Sequence, residues 1–413
     1  MPRLLLITYY FPPWGMGGVQ RVAKFAKYLP EFGWDITVLT VDPGKYHQDD
    51  PSLLADIPSS VRVERIAYRE LGSRAAQAQG MTRSLSRFAG RLISWPDRHR
   101  GFERLAFRRA VELHRENSFD AVMTSSPPPS IHLAGLQLGQ TIPWVADFRD
   151  PWQARFGDFG PTPLHAWYNR ALYARLVRRA DAVVAVTPEL ATVLSRVRGN
   201  SDVVAIPNGY DESDFSGVAT TGRAPNELLI VCPGTFSEFS DPRPILRAIA
   251  SWRKSENRRV RVVHVGHALG VEVARAAQDC GIGDIFEQTG YIPHRDAISW
   301  LLRADLIAIS YADTPALAVS VPGRIYEALR SLKPIVAFTA PDGALAHLLS
   351  DIPACWVVPT QDTDAGTRAI HEALTSGVIR LLESVQSFSR RKQAQQLAEI
   401  LDSATQGRQG RGR

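Results

Sequence analysis

Hydrophobic and polar positions along this chain follow two periods in turn. Short apolar runs stand between stretches in which apolar residues return at helical spacing. The runs fall at 4–9, 35–41, 61–66, 121–124, 144–147, 182–186 and 203–206, and again at 228–231, 260–265, 285–287, 306–309, 334–338 and 356–358. Strands alternating with helices in this way predict an α/β chain with two mostly parallel sheets. At 413 residues two domains are the default. The polar, turn-rich stretch from Pro207 to Asn226 marks the junction, giving domains at 1–206 and 207–383. In the remainder, 384–413, an amphipathic helix at 384–401 precedes a basic segment from Gly407 to Arg413 that reads as a disordered tail.

The densest chemistry lies from Val321 to Ala337. Pro322 and Gly323 break the chain, and Arg324 to Leu332 carries helical spacing with Ile325, Ala328 and Leu329 on one face. Lys333-Pro334 stops that helix, because the residue before a proline avoids the α region. Ile335-Val336-Ala337-Phe338 follows as a buried strand. A helix that starts behind a glycine offers free N–H groups and a positive dipole end to an anion. Arg324 adds a fixed charge, and Glu327, one turn further, is placed to accept a bond from a sugar hydroxyl. This outlines a nucleotide-sugar pocket; the stretch also suits an ordinary helix–strand unit of any α/β protein.

The amino-terminal run leads into a breaker-rich loop, Phe11-Pro12-Pro13-Trp14-Gly15-Met16-Gly17-Gly18. An amphipathic helix at 19–32 follows, with Val22, Phe25, Ala26 and Leu29 inward and Gly33 as its C-cap. A βαβ unit with glycines at its first turn raises dinucleotide binding. Against that, Gln20 stands where the third glycine of G-x-G-x-x-G falls, although Asp42 suits a ribose-binding acid. Further strings stand at strand ends and turns: Val145-Ala146-Asp147-Phe148-Arg149-Asp150-Pro151-Trp152, Arg179-Ala180-Asp181 with Thr187-Pro188-Glu189, Ile206-Pro207-Asn208-Gly209-Tyr210-Asp211, and Thr289-Gly290-Tyr291-Ile292-Pro293.

Taken in order from position 4 to 337, these strings resemble glycosyltransferase family 4, a family of retaining GT-B enzymes. The resemblance implies two Rossmann-like domains facing across a cleft. The first lies on the acceptor side, the second binds the nucleotide sugar, and the last helix returns to the first domain. It implies that Gly17 and Gly18 let the backbone approach the donor phosphate and sugar, as only glycine can at such range. It places Gly234 and Thr235 in the donor site, has the backbone of Tyr291 and Ile292 read the base, and gives Pro322, Gly323, Arg324 and Glu327 the diphosphate and sugar. Two departures stand out. The family's first glutamate, eight residues before Glu327, is Val319 here, which leaves the contacts to the donor sugar open. The usual lysine after the first carboxy-terminal strand is also missing; the turn reads Ser240-Asp241-Pro242-Arg243-Pro244. Arg243 is the local substitute, a bidentate phosphate ligand rather than a point charge.

Composition changes this picture little. A hydrophobic fraction of 45 % suffices for two cores. Cys232, Cys280 and Cys355 lack metal or disulfide spacing, which predicts reduced, buried thiols. The first apolar run has no cleavage pattern behind it, and no run approaches the roughly 18 apolar residues of a membrane span. A cytoplasmic chain is expected. Charge changes the picture more. The net charge is +6, yet between Arg69 and Arg115 eleven arginines face only Glu70, Asp97, Glu103 and Glu112. Leu85, Phe88 and Leu92 can share a helical face beside Arg83, Arg87 and Arg91, which suits peripheral contact with the anionic inner face of a membrane or, equally, a solvated helix packed on its domain. A basic chain also permits nucleic acid, but no such motif is visible.

No Asp-x-Asp ends an apolar strand; Asp49-Asp50 and Asp362-Thr363-Asp364 lie in polar stretches. The leaving diphosphate would rest on Arg324, Arg243 and a helix end, so no metal is expected and no cofactor beyond the nucleotide sugar as co-substrate. His132 and Asp150 are the amino-terminal candidates for catalytic roles, and His132 also reads as a helix-face histidine near the interface. The function that emerges is a retaining glycosyltransferase of polysaccharide biosynthesis, passing a sugar from a nucleoside diphosphate to a cell-envelope glycan or its polyprenyl-linked carrier. A nucleotide-sugar epimerase of the same fold and a non-catalytic GT-B binding subunit are the alternatives.

Overall fold

The computed structural model describes residues 1–15, 18–42, 44, 50–68, 97, 99–152, 162–200, 202–219, 226–315 and 317–411. They divide into two compact units, Met1–Pro207 with Arg390–Arg413, and Asn208–Ser389.

The first unit holds seven strands: β1 (Arg3–Thr8), β2 (Asp35–Val41), β3 (Arg62–Ile66), β4 (Ala121–Ser126), β5 (Trp144–Phe148), β6 (Ala182–Ala185) and β7 (Val203–Ala205). Their order is β3-β2-β1-β4-β5-β6-β7, and every pair is parallel. The central strand β1 sets Leu5 opposite both Thr37 and Val122. One face, with Leu4, Leu6, Val38, Met123 and Val145, packs against Val22, Phe25 and Leu29. The other buries Leu5 and Ile7 just as completely, as a parallel sheet covered on both sides requires. The helix Gln20–Tyr28 tightens into a 3-10 turn, Leu29–Phe32, and stops at Gly33, whose φ of 87° is the left-handed cap that glycine adopts without strain.

The second unit holds six strands: β8 (Glu227–Pro233), β9 (Arg259–Val265), β10 (Phe286–Gln288), β11 (Leu306–Ser310), β12 (Ile335–Phe338) and β13 (Cys355–Val358). They run parallel in the order β10-β9-β8-β11-β12-β13. Alternate residues feed two cores. Leu229, Val231, Val263, Ile307 and Ile309 meet Ile325, Tyr326 and Leu329, while Leu228, Ile230, Val262 and Ala308 meet Ile245, Ile249, Trp252 and Ile370. Cys232 is buried in β8, and all three cysteines are free.

Both sheets and all thirteen strands lie where the apolar runs predict them. Helix ends differ. The helix expected at 324–332 is Arg324–Arg330, and Leu332 leaves it at a φ of 62°. The last helix is Arg390–Arg411 rather than 384–401. Val385 belongs to the core of the second unit, and the backbone N–H of Tyr210 is held by the Phe388 carbonyl at 3.1 Å, so this stretch forms only two short 3-10 turns, Leu382–Ser384 and Gln386–Phe388, and the α-helix begins at Arg390. Ala394, Leu397, Ala398 and Leu401 then join the core of the first unit. The expected tail from Gly407 remains helical to Arg411; Arg408 anchors it by donating to the Gln140 carbonyl at 2.8 Å and pairing with Asp181 at 3.4 Å. The described part of the junction, 207–219, is built into the fold rather than left as a linker, since Tyr210 and Phe215 are core residues of the second unit. Among the described residues no helix is long and apolar enough to cross a membrane.

Candidate functional site

In an open parallel sheet, ligands bind outside the carboxyl ends of the strands where the order reverses. In the second unit that point lies between β8 and β11. β8 ends at Pro233, and Gly234 turns the chain at a φ of 91°. The side chain of Arg324 lies against this glycine: a Cβ at 234 would stand 2.4 Å from Arg324 Cδ and 2.6 Å from its Nη1. Glycine is therefore required twice, by the backbone and by the arginine. Arg324 Nη1 donates to the Thr235 carbonyl at 3.0 Å, and Nη2 donates to Ser240 Oγ at 2.6 Å and the Ser310 carbonyl at 2.9 Å. Nε is shielded from water and has no partner. No carboxylate among the described residues lies within ion-pair distance. Desolvation draws the guanidinium down to about 10, which leaves it protonated at neutral pH. The result is a half-buried cation, fixed in direction by neutral acceptors and uncompensated in charge.

Arg243, expected at the diphosphate, has a different immediate partner. It is exposed, and Asp241, two residues back, accepts from its Nε at 2.9 Å and pairs with Nη2 at 2.7 Å. That pair raises the arginine and lowers the aspartate, although burial of the carboxyl opposes it. Pro322 and Gly323 precede the helix as expected. Gly323 already has helical angles, and the space around it is open. The helix has only seven residues, so the fixed charge of Arg324 outweighs its short dipole.

Glu327 is half-buried, and its Oε1 accepts from His294 Nε2 at 2.8 Å. His294 Nδ1 lies 3.9 Å from Asp214 Oδ2. A carboxylate–imidazole–carboxylate row thus orients the glutamate that sequence reading placed at a sugar hydroxyl. Sequence reading missed His294, although it directly follows Pro293 in a string already singled out. It also missed two histidines at the end of β9. His264 Nε2 is 2.8 Å from the Gly234 carbonyl, and burial pushes this imidazole down to about 4. The ring of His267 stacks on Tyr291 with centroids 5.4 Å apart and planes 17° apart. Tyr291 is 38 % exposed, so the pair presents a flat face beside the Gly234 turn. Ile292 packs against the core, and Gly266 touches the Gly234 backbone so closely that a Cβ would stand 2.2 Å from its carbonyl oxygen.

In the first unit the order reverses between β1 and β4. Arg21 and Asp147 form the centre here. Arg21 Nη2 meets Asp147 Oδ1 at 2.9 Å and Nε meets Oδ2 at 3.1 Å, while Nη1 donates to the carbonyls of Ile206 and Pro207. Ser125 Oγ adds a bond to Asp147 at 2.7 Å. The side chains of Arg21 and Asp147 are 1 % and 0 % exposed, so this pair is structural. Arg149 Nη1 donates to the Gly18 carbonyl, and a Cβ at Gly18 would approach Arg149 Nη2 to 2.9 Å. Gly17 lies outside the described residues, as do Arg83, Arg87 and Arg91. Asp150 is half-buried just beyond β5.

His132 is fully buried, which closes it off from an incoming substrate in this conformation. Its Nδ1 bonds Thr124 Oγ1 at 2.8 Å, its ring lies 4.4 Å from Phe148, and Nε2 has no partner. Desolvation pushes it down to about 3, with a smaller opposing effect from Asp147, so the ring is neutral near pH 7. Asp97 pins the turn in front of it, accepting from Ser130 N at 2.8 Å and Ser130 Oγ at 3.0 Å. Burial raises the Asp97 carboxyl.

Comparison with known proteins bears on the family and the fold. The family model described as Glycosyltransferase Family 4 matches residues 16–214, and that described as Glycosyl transferases group 1 matches 227–376. Sucrose-phosphate synthase from Thermosynechococcus elongatus superposes with a TM-score of 0.64 at 16 % identity, covering 98 % of this chain and 99 % of that one. HepE from Anabaena, solved in complex with UDP-glucose, superposes with a TM-score of 0.62 at 17 % identity, covering 97 % and 99 %. A glycosyltransferase from Rickettsia africae gives 0.64 at 13 % identity, covering 98 % of each chain. At these identities the likeness is one of fold, and the fold is GT-B. No curated protein sequence matches.

Proposed function

The chain belongs to glycosyltransferase family 4, and from that premise we propose that it moves a sugar from a nucleoside-diphosphate donor to an acceptor hydroxyl with retention at the anomeric carbon. Arg324 carries this reading. A diphosphate presents paired oxygens to a planar guanidinium. Negative charge grows on it as the glycosidic bond breaks, so a cation preset there favours the transition state over the ground state. The C1–O bond to the β-phosphate breaks, a C1–O bond to the acceptor forms on the same face, and the hydroxyl proton passes to the departing phosphate. Positioning then counts for more than a general base, in keeping with the closed-off, neutral His132. Gly234 and Thr235 frame the diphosphate beside Arg324, Tyr291 and His267 offer a face to the base, and Glu327, oriented by His294, accepts from a donor hydroxyl. HepE, with UDP-glucose bound on the same fold, supports a nucleotide sugar. Gly18, held by Arg149, and Asp150 belong to the acceptor-side unit.

In this reading Arg324 does the work of a metal, and turnover should survive EDTA. The proposed acceptor is a cell-envelope glycan or its lipid carrier, in keeping with the basic stretch between Arg69 and Arg115. The test is incubation with radiolabelled nucleotide sugars and a membrane fraction in EDTA. Label entering the glycan or lipid fraction, and lost with Arg324→Ala, is the expected result. A free epimer would identify an epimerase, unchanged donor a binding subunit, and rescue only by Mn²⁺ or Mg²⁺ a metal-dependent enzyme.

A further inference from the structure

The helix Pro163–Arg179 carries apolar residues on two sides, one buried and the other largely exposed. Leu172, Tyr173, Leu176 and Val177 are buried, with Tyr173 against Phe148 and Trp152 at centroid distances of 5.8 and 5.3 Å. On the other side Leu164, Trp167 and Tyr168 are 71 %, 66 % and 49 % exposed. Their spacing is that of one helical stripe, which Ala171 continues. The helix is well begun, since Thr162 accepts from His165 N at its N-cap, so the stripe belongs to ordered structure. Further along the same side Arg175 and Arg179 are exposed, and the helix contains no Asp or Glu. Arg170 is exposed too, while Arg178 donates to the Val197 carbonyl.

An exposed apolar cluster on an ordered helix needs a partner. Tryptophan and tyrosine favour the membrane–water boundary, where an apolar ring with a polar edge meets both phases, and exposed arginines on a helix that carries no Asp or Glu match anionic headgroups. A second copy of this chain fits less well, because an isologous contact through this helix offers no carboxylate from it to meet Arg175 and Arg179. We infer that this face docks on an anionic phospholipid bilayer, with Leu164 and Trp167 entering the acyl boundary and Arg175 and Arg179 at the lipid phosphates. The inference stands on this helix and not on the sugar-transfer reading.

The test is co-sedimentation of the full chain with vesicles of phosphatidylcholine alone or mixed with phosphatidylglycerol. The wild type should pellet with the mixed vesicles. Leu164→Glu with Trp167→Glu should weaken partitioning by at least about tenfold. Arg175→Glu with Arg179→Glu should weaken it strongly at low salt and less at high salt, where screening has already removed the charge contribution. Circular dichroism checks that each variant is folded, and Arg83, Arg87 and Arg91 stay untouched so that this helix alone is read. The inference is overturned if both variants pellet like the wild type or the wild type stays in the supernatant. It is equally overturned if light scattering shows the Glu substitutions only dissociating a self-associated species while vesicle binding is unchanged.

Discussion

Each unit holds an arginine near the carboxyl ends of its strands, and the two are held in opposite ways. Arg21 is buried and gripped by both oxygens of Asp147. Arg324 is gripped as firmly, but by Thr235, Ser240 and Ser310, none of which carries charge. A buried ion pair completes its own electrostatics and has nothing left to offer a ligand. A cation fixed by neutral acceptors bears a desolvation cost that an arriving anion relieves. The difference is the ground, independent of any relative, on which the proposed reading assigns the donor phosphates to Arg324 and not to Arg21.

Breaking the first member should cost the most. Arg21→Met leaves the Asp147 carboxylate buried without its counter-charge, with, among the described residues, only the Ser125 hydroxyl bonded to it, and removing one partner of such a pair costs about 3–5 kcal/mol. Thermal unfolding should show a large loss, mostly recovered when Asp147→Leu is added. Little loss from the single change would mean that the pair is not what holds the first unit.

The second member should behave in reverse. Arg324→Ala should keep its fold and lose turnover by about one to two decades, the equivalent of a charge-assisted bond worth about 1.5–3 kcal/mol. Glu327→Ala should fall in the same range. His294→Leu should raise the donor KM more than it lowers kcat, and His294→Gln, which restores an N–H donor, should recover most of it. If the glutamine variant is no better than the leucine, His294 does not orient Glu327.

The hidden imidazoles extend the comparison to pH. His132 and His264 sit at about 3 and about 4 because burial disfavours their charged forms. The unfolded chain takes up these protons near the ordinary value of about 6.5, so between that pH and about 4 it binds more protons than the native state. Stability is therefore fullest above about 6.5 and falls as pH drops toward 4, by up to about 1.4 kcal/mol per pH unit for each imidazole. His264→Gln should flatten that slope in denaturant titrations; an unchanged slope would assign the loss to other groups. Smallest of all, Arg243→Ala should change stability by under about 1 kcal/mol, since an exposed pair such as that with Asp241 contributes little. A large loss of donor affinity in that variant would return Arg243 to the site.

The sheets were legible because apolar runs such as Leu4 to Ile7 and Ile335 to Phe338 are bounded by turn residues, and parallel strands covered on both faces need such runs. The string Pro322-Gly323-Arg324 with Glu327 was legible for a similar reason, since the turn, the charge and the helix are local. What lay hidden was pairing across the fold. Nothing near Glu327 announces His294, and nothing near Arg21 announces Asp147, because those partners meet only when elements distant in the sequence pack together. Arg243 taught the converse lesson: its partner Asp241 was two residues away, and its charge was already matched. The start of the last helix was misplaced because Val385 and Phe388, apolar at helical spacing, serve the second unit instead.

The most direct measurement is titration calorimetry of UDP, GDP and ADP against the wild type and Arg324→Met, both in EDTA. An uncompensated Arg324 predicts that at least one of these nucleotides binds the wild type without metal, that the variant binds it about tenfold or more weakly, and that the ligand-free variant melts no lower. Equal affinity in both proteins, or no binding to either without metal, would contradict it.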